Sequence, residues 1–269
     1  MKIATWNINS IRLRLQLVID FIKEHDIDVL CLQETKTQDM HFPVGDFTAA
    51  GWPHQVIRGQ KSYNGVAIIS RQPFVETNYI NWAGKTDCRH IWARTQDGIG
   101  VHNFYVPAGG DIPDIDENEK FAHKLQFIAE MTTHFGVNKP QMEILVGDLN
   151  IAPLANDVWS SKQLLKIVSH TPDETDGLKR LISDGGWHDV VRAYFGDDQK
   201  LYSWWSYRAR DWAASDRGRR LDHMWVSLDL ADHIRDTVGR FAGIKHNEIV
   251  AKAMHFKKRC HENAYNRFF

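Results

Sequence analysis

Short apolar runs that each end on a polar, chemically capable side chain set the pattern of this chain. Ile3-Ala4-Thr5-Trp6 leads to Asn7, Asp28-Val29-Leu30-Cys31-Leu32-Gln33 leads to Glu34, and Ile144-Leu145-Val146 breaks on Gly147 to deliver Asp148 and Asn150. Runs of this length and composition predict strands buried on both faces. Behind Ser10, a good N-cap, Ile11, Leu15, Val18, Ile19 and Ile22 recur at helical spacing and predict an amphipathic helix. This β-α-β opening predicts layers of sheet and helix.

From Gly51 to Val106 the pattern changes. Gln55–Ile57, Gly65–Ile69, His90–Arg94 and Ile99–Val106 are strand candidates, separated by Gly, Asn, Pro and Asp, which predicts successive antiparallel strands. Pro107-Ala108-Gly109-Gly110-Asp111 opens an acidic loop. Phe121, Leu125, Ile128 and Phe135 then mark a second amphipathic helix, closed by Gly136 and Pro140. After Asn150 the chain is irregular, with a short helix around Leu178, Leu181 and Ile182. Arg220 to Ser227 alternates as a strand does. There is no internal repeat or linker, so the pattern predicts one domain: two mixed sheets packed face to face, with helices outside.

Composition adds limits. The chain of 269 residues, 43% hydrophobic and 25% charged, buries a sizeable core. Its net charge of −1 excludes a whole-chain attraction to polyanions, although local asymmetry remains. Cys31, Cys88 and Cys260 lack disulfide or metal spacing, which fits a reducing compartment such as the cytoplasm. The N-terminus has no signal-peptide layout, and no apolar run is long enough to span a membrane.

The chemistry follows from the strand ends. If the strands ending at Asn7, Glu34, Asp148 and Asn150 neighbour one another in one sheet, their side chains converge at one rim. Two carboxylates with few other protein ligands suit Mg²⁺, which keeps its waters and shares coordination with a substrate phosphate. Hydrolysis of a phosphodiester needs such charge neutralisation and a positioned water. Each residue taken singly also suits an ordinary turn. Tyr105 can donate to a phosphate oxygen or pack in the core. His90, His102 and His223 lack paired spacing with soft ligands and read as structural.

A second signal is the segment Tyr202 to Arg220, in which five arginines and five aromatics stand against two aspartates. Arginine grips phosphate and aromatic rings stack on bases. Trp204, Arg208 and Arg217 are therefore candidates for substrate contact, against the alternative of a solvated loop with buried Trp. Arg58, in Arg58-Gly59-Gln60-Lys61-Ser62-Tyr63-Asn64-Gly65, belongs to a similar patch that a hairpin loop explains equally well.

With these residues in view, the chain resembles the exonuclease III family of abasic-site endonucleases, within the endonuclease/exonuclease/phosphatase superfamily. Five blocks carry the resemblance in the family's order: Trp6-Asn7-Ile8-Asn9-Ser10-Ile11-Arg12, Leu32-Gln33-Glu34-Thr35-Lys36, Asn103-Phe104-Tyr105-Val106-Pro107, Gly147-Asp148-Leu149-Asn150-Ile151-Ala152-Pro153 and Arg220-Leu221-Asp222-His223. The resemblance implies a DNase I-like four-layer α/β sandwich over residues 1–236. It also implies Mg²⁺- or Mn²⁺-dependent cleavage of double-stranded DNA 5′ to abasic sites, with 3′→5′ exonuclease and 3′-end-cleaning activity, by a monomer. By the same resemblance, Glu34 with Asn7 holds the metal, Asp148 orients or deprotonates water, and Asn150 supports it. Tyr105 contacts phosphate, Asp222 holds a catalytic histidine, and Trp204 and Leu221 line the abasic-sugar pocket.

The family closes with a Ser-Asp-His block on a loop leading into a final strand. No Asp-His pair follows Asp236 here, and residues 237–269 read as a divergent tail in place of that loop and strand. The expectations are a sheet that loses its closing strand and exposes an edge, and a weakened active site. Besides a repair nuclease, two further functions fit: a catalytically impaired DNA-binding homologue, and a phosphomonoesterase or phospholipase of the same superfamily.

Overall fold

Period-two alternation sorts the strand side chains into separate apolar layers. In β1 (Ile3–Asn7) and β2 (Val29–Gln33), Ile3, Val29 and Cys31 face one way and Ala4, Trp6, Leu30 and Leu32 the other. The computed structural model describes residues 1–206 and 216–234, with the backbone of 253–255. It has one sheet in the order β13 (Ala253–His255), β1, β2, β4 (Tyr63–Ser70), β3 (His54–Gln60). The second sheet runs β5 (Phe74–Asn78), β6 (His90–Thr95), β7 (Gly100–Tyr105), β8 (Glu143–Asp148), β12 (Asp222–Ser227), β9 (Trp187–Asp189). Both are mixed: β1 and β2 are parallel, as are β7 and β8, and the pairs β2/β4 and β8/β12 are antiparallel.

Ile3, Val29, Cys31, Val66 and Ile68 of the first sheet meet Ile91, Val101, Ile144, Val146, Met224 and Val226 of the second. On the outer side of the first sheet, α1 (Ile11–Glu24) buries Ile11, Val18, Ile19, Phe21 and Ile22. The short α2 (Val44–Ala50) adds Phe47 to the same layer. The outer side of the second sheet is covered by α3 (Glu119–Val137) and α5 (Pro172–Gly185), through Phe127, Ile128, Met131, Phe135, Leu178 and Leu181. Shorter helices α4 (Ser161–Leu164), α6 (Val190–Phe195) and α7 (Leu228–Ala231) complete the surround. The expected helix–sheet–sheet–helix layering is present.

Four expectations are corrected. Ser10 stands before α1 at φ +95° and its side chain makes no capping bond. The first helical N–H, on Ile11, instead donates to the Thr35 carbonyl at 3.1 Å, so the loop after β2 does the capping. The second helix continues past Gly136 to Val137 and is capped by Asn138. The strands between Gly51 and Val106 do not form one antiparallel series. β3 and β4 belong to the first sheet and β5 to β7 to the second, and β5 was not foreseen because it is a largely exposed edge strand with little apolar signal. Lastly, the outer edge of β1 is paired along Thr5–Asn7 by β13, parallel to it and in register Thr5↔Ala253 to Asn7↔His255. Such pairing uses main-chain groups, so it does not require the alternating side chains whose absence suggested a missing strand.

The three strand histidines pack internally. His90 Nδ1 accepts from the Ile80 N–H at 3.1 Å, and its Nε2 meets His102 Nδ1 at 3.0 Å. His223 Nε2 donates to the Ile151 carbonyl at 2.8 Å. Burial pushes His102 down to about 3 and His223 down to about 4. The unfolded chain, with imidazoles near 6.5, therefore binds more protons, and stability falls as pH drops from about 6.5 to 4. His223 alone accounts for roughly 3 kcal/mol of that loss. Thermal melts should show a steeper decline in Tm over this window for the wild type than for His223→Asn; equal slopes would refute a neutral buried His223.

Among the described residues, Cys31 and Cys88 are free thiols, and no helix is long and apolar enough to cross a membrane.

Candidate active site

The layer between the sheets is apolar along most of its length and becomes polar at one end. On β1 the inward series runs Ile3, Thr5, Asn7; on β2 it runs Val29, Cys31, Gln33; on β8 it runs Ile144, Val146, Asp148. The first polar rung is Gln33, whose Nε2 donates to Thr5 Oγ1 at 2.9 Å and to Asn103 Oδ1 at 2.7 Å. Asn103 Nδ2 donates back across the layer to the Leu32 and Ala67 carbonyls, each at 2.9 Å. The amide N–H groups of both side chains find acceptors, while Gln33 Oε1 accepts no bond among the described residues, and the rung fixes the spacing of the two sheets just below the acids.

Above that rung, Asn7 Nδ2 donates to Glu34 Oε1 at 3.0 Å and to Asp148 Oδ2 at 2.8 Å. The Tyr105 hydroxyl donates to the same Glu34 oxygen at 2.9 Å. Asp148 lies in register with Tyr105 on one side and Asp222 on the other. The convergence expected from the strand ends is present, but not at the rim of one sheet. Asn7 and Glu34 come from the first sheet, Tyr105, Asp148 and Asp222 from the second, and they meet across the interlayer.

Local backbone geometry makes the approach possible. Glu34 and Asn150 adopt left-handed φ values of +52° and +54°, uncommon for residues with side chains. Ser10 N donates to the Glu34 carbonyl at 2.7 Å and Ile8 N to Gln33 O at 3.0 Å, which lays the loop after β1 along the loop after β2. Gly147 sits at φ +140°, and a Cβ there would stand 1.9 Å from the Phe104 carbonyl oxygen. Only glycine lets β7 and β8 come this close immediately before Asp148.

Asn150 N donates to Asp148 Oδ1 at 3.0 Å and its side-chain amide to the Val106 carbonyl at 2.9 Å. Both Asp148 oxygens thus accept hydrogen bonds. Tyr105 is raised well above the usual phenol range, by burial first and then by the Glu34 and Asp148 charges. It remains a hydrogen-bond donor at any physiological pH.

Sequence reasoning gave no role to Lys36, although it stands two residues after Glu34. Its ammonium lies 2.6 Å from Glu34 Oε2 and 2.5 Å from Asn9 Oδ1. Two carboxylates bridged by one amide and faced by a cation form an environment of hard oxygen donors, with Glu34 partly open to solvent. That donor chemistry fits a divalent ion such as Mg²⁺.

Beside this cluster, Trp204 and Leu221 come together in a smaller apolar group with Ala152, Val158 and Leu164. Leu221 is tied to the site by its carbonyl, which accepts from Leu149 N at 2.9 Å. The short strands β10 (Trp204–Trp205) and β11 (Gly218–Arg219) pair antiparallel, and Ser203 Oγ accepts from both Leu221 N and Asp222 N at 3.0 Å. Arg217 is exposed and stacks over Trp159 at 4.6 Å. Arg208 lies outside the described residues. Arg58 contacts Tyr79, Asn81 and the His90 carbonyl rather than the acidic cluster.

The basic segment is not uniformly a surface. Arg220 is buried, with Nε 2.7 Å from Asp157 Oδ1 and a terminal nitrogen 2.8 Å from Asp189 Oδ2. Arg219 donates to the Val168 carbonyl and Ser169 Oγ. These two arginines, just before β12, hold the fold, because each turns toward acceptors in the segments packed beside it. The Arg58–Gly65 patch is the β3–β4 hairpin, where Gly59 gives room to the Thr37 carbonyl: a Cβ would lie 2.0 Å from it.

Two mixed sheets with helices outside, and acids and amides gathered at one end of the layer between them, define a DNase I-like sandwich. The chain belongs to the Endonuclease/Exonuclease/phosphatase family, whose sequence profile it matches over residues 4–243. It is 30% identical over 252 residues to exodeoxyribonuclease III of Haemophilus influenzae, covering 88% of this chain and 91% of that relative. Among solved structures, an AP endonuclease from Archaeoglobus fulgidus superposes with a TM-score of 0.79 at 33% identity, over 87% of this chain and 89% of the other. The Neisseria 3′ phosphatase NExo, bound to a product DNA hairpin, superposes with a TM-score of 0.78 at 30% identity, over the same shares. The family match extends past residue 236, and the tail from residue 244 lies beyond it.

Proposed function

We propose that this chain is a DNA-repair phosphodiesterase that hydrolyses the bond 5′ to abasic sites in double-stranded DNA, with 3′→5′ exonuclease and 3′-end-cleaning activity. The observation that carries this reading is the convergence of Asn7, Glu34, Tyr105 and Asp148 across the interlayer, beside the apolar group that holds Trp204 and Leu221. The relatives named for exonuclease, AP-endonuclease and 3′-phosphatase activity support the substrate class.

Glu34 and Asn7 would hold Mg²⁺ or Mn²⁺, and that ion would supply charge neutralisation at the phosphate. Asp148, with both oxygens aligned by hydrogen bonds from Asn7 and Asn150, orients the attacking water and takes its proton. Tyr105 keeps its proton and offers it to a phosphate oxygen that competes with Glu34. Asn150 holds the loop on which Asp148 depends. Trp204 and Leu221 receive the sugar that lacks a base, and exposed Arg217 meets backbone phosphate. Asp222, in register with Asp148, is the carboxylate that would hold a catalytic histidine, and the tail of this chain has no Asp-His pair to supply one.

An end-labelled duplex with one abasic site, incubated with purified protein and Mg²⁺, tests the reading. Incision 5′ to the site that disappears with chelator is expected. Salt-sensitive binding without incision overturns it in favour of an impaired DNA-binding homologue. Hydrolysis of inositol phosphates or sphingomyelin with none of DNA overturns it in favour of the phosphomonoesterase or phospholipase reading.

A further inference from the structure

The loops that lead away from Tyr105 and Asp148 are tied together by a charge that the proposed chemistry does not use. Lys124 of α3 and Glu174 of α5 are completely buried, and their ammonium and carboxylate stand 2.5 Å apart. The ammonium has two further acceptors: the Asn150 carbonyl at 2.8 Å, after β8, and the Ala108 carbonyl at 3.3 Å, after β7. Its three donors are thus divided among Glu174 and one carbonyl from each loop. Glu174 is itself anchored, accepting from Ser169 N at 2.8 and 2.9 Å, from Thr171 N at 3.1 Å and from the Thr171 hydroxyl at 2.8 Å.

A buried ion pair is seldom more stabilising than apolar side chains of the same volume. What an ammonium adds here is direction, through its bonds to the two carbonyls. Asn150 is held at φ +54°, and from that turn its N–H reaches Asp148 Oδ1. We propose that Lys124, anchored by Glu174, is a positioning residue for the hydrolytic site, holding Asn150 in the turn from which its amide orients the Asp148 carboxylate. The inference rests on the reading of Asp148 given above.

The test uses the double variant Lys124→Met/Glu174→Gln, which removes both charges while keeping volume. Each single variant strands a buried charge and should melt early; the double variant should melt within a few degrees of wild type. If the Met/Gln pair does not fold, Lys124→Gln/Glu174→Gln replaces it with a neutral hydrogen-bonding pair. In the folded double variant, hydrogen-exchange protection of the Asn150 amide should drop about 10-fold or more while Leu145 and Val146 stay protected. On abasic DNA, kcat should fall by about 10- to 100-fold with KM within about twofold. A double variant of recovered Tm that keeps either Asn150 protection or kcat within about twofold of wild type overturns the proposal. Where the wild type itself does not cut, the proposed function has failed, and Asn150 protection alone decides the positioning role.

Discussion

Asp148→Asn is expected to lower cleavage of abasic DNA by about 10³-fold or more while leaving DNA affinity within a few-fold of wild type. The substitution keeps the shape of a side chain that is 1% exposed, and it keeps one acceptor for either the Asn150 N–H or the Asn7 amide. It removes the negative charge and the basic oxygen proposed to take the proton of the attacking water. Affinity is spared because DNA binding draws on phosphate contacts spread over the surface rather than on an acid that repels phosphate. Single-turnover cleavage, paired with binding measured across a salt series, separates the two effects. Glu34→Ala should behave similarly. Cleavage by either variant within 10-fold of wild type would sink the site assignment.

The second large effect is structural. Asp157 is fully buried and is the shared acceptor of two arginines, with Arg220 Nε at 2.7 Å and an Arg192 terminal nitrogen at 2.5 Å. Burial alone would raise its pKa, but the Arg220 and Arg192 charges outweigh that and hold it below the usual carboxylate range. Asp157→Ala leaves two guanidinium groups in the interior with Asp189 as the remaining carboxylate partner, on Arg220. The expected cost is about 3–5 kcal/mol, or a fall in Tm of roughly 10–15 °C. Calorimetry at neutral pH measures it directly, and a fall below about 2 °C would show that the network carries little. Because Arg220 leads into Leu221 and Asp222, a cleavage defect beyond what lost stability explains is also expected.

Asp157 shows where reading along the chain reaches its limit. Arg220 is one of five arginines in a basic, aromatic segment whose residue types suit phosphate contact, yet it is turned inward by an acid 63 positions away. Arg217, three residues earlier, is exposed. The linear signal was the same for both, and burial separated them. Ser10 is similar: its residue type suits a cap, but the Thr35 carbonyl already meets the helix N-terminus.

What the sequence determined by itself was the alternation within each strand and the residue type at each strand end. Both are local, set by two-residue periodicity and by the side chain's own chemistry. From them the two-sheet sandwich, the roll of Asn7, Glu34, Tyr105, Asp148 and Asn150, and the family resemblance were all legible. The tertiary structure decided which strands share a sheet, and so turned an expected rim into an interlayer site. Asn7 and Asp148 are 141 residues apart and belong to different sheets, yet a 2.8 Å bond joins them. It also decided that Lys124 and Glu174, unremarkable on their helices, meet beneath the loops of Tyr105 and Asp148. The physical reason is that no periodicity encodes a contact between distant segments. Such contacts are fixed only when sheets and helices pack, and buried polar groups must then find partners from whatever the packing brings within reach.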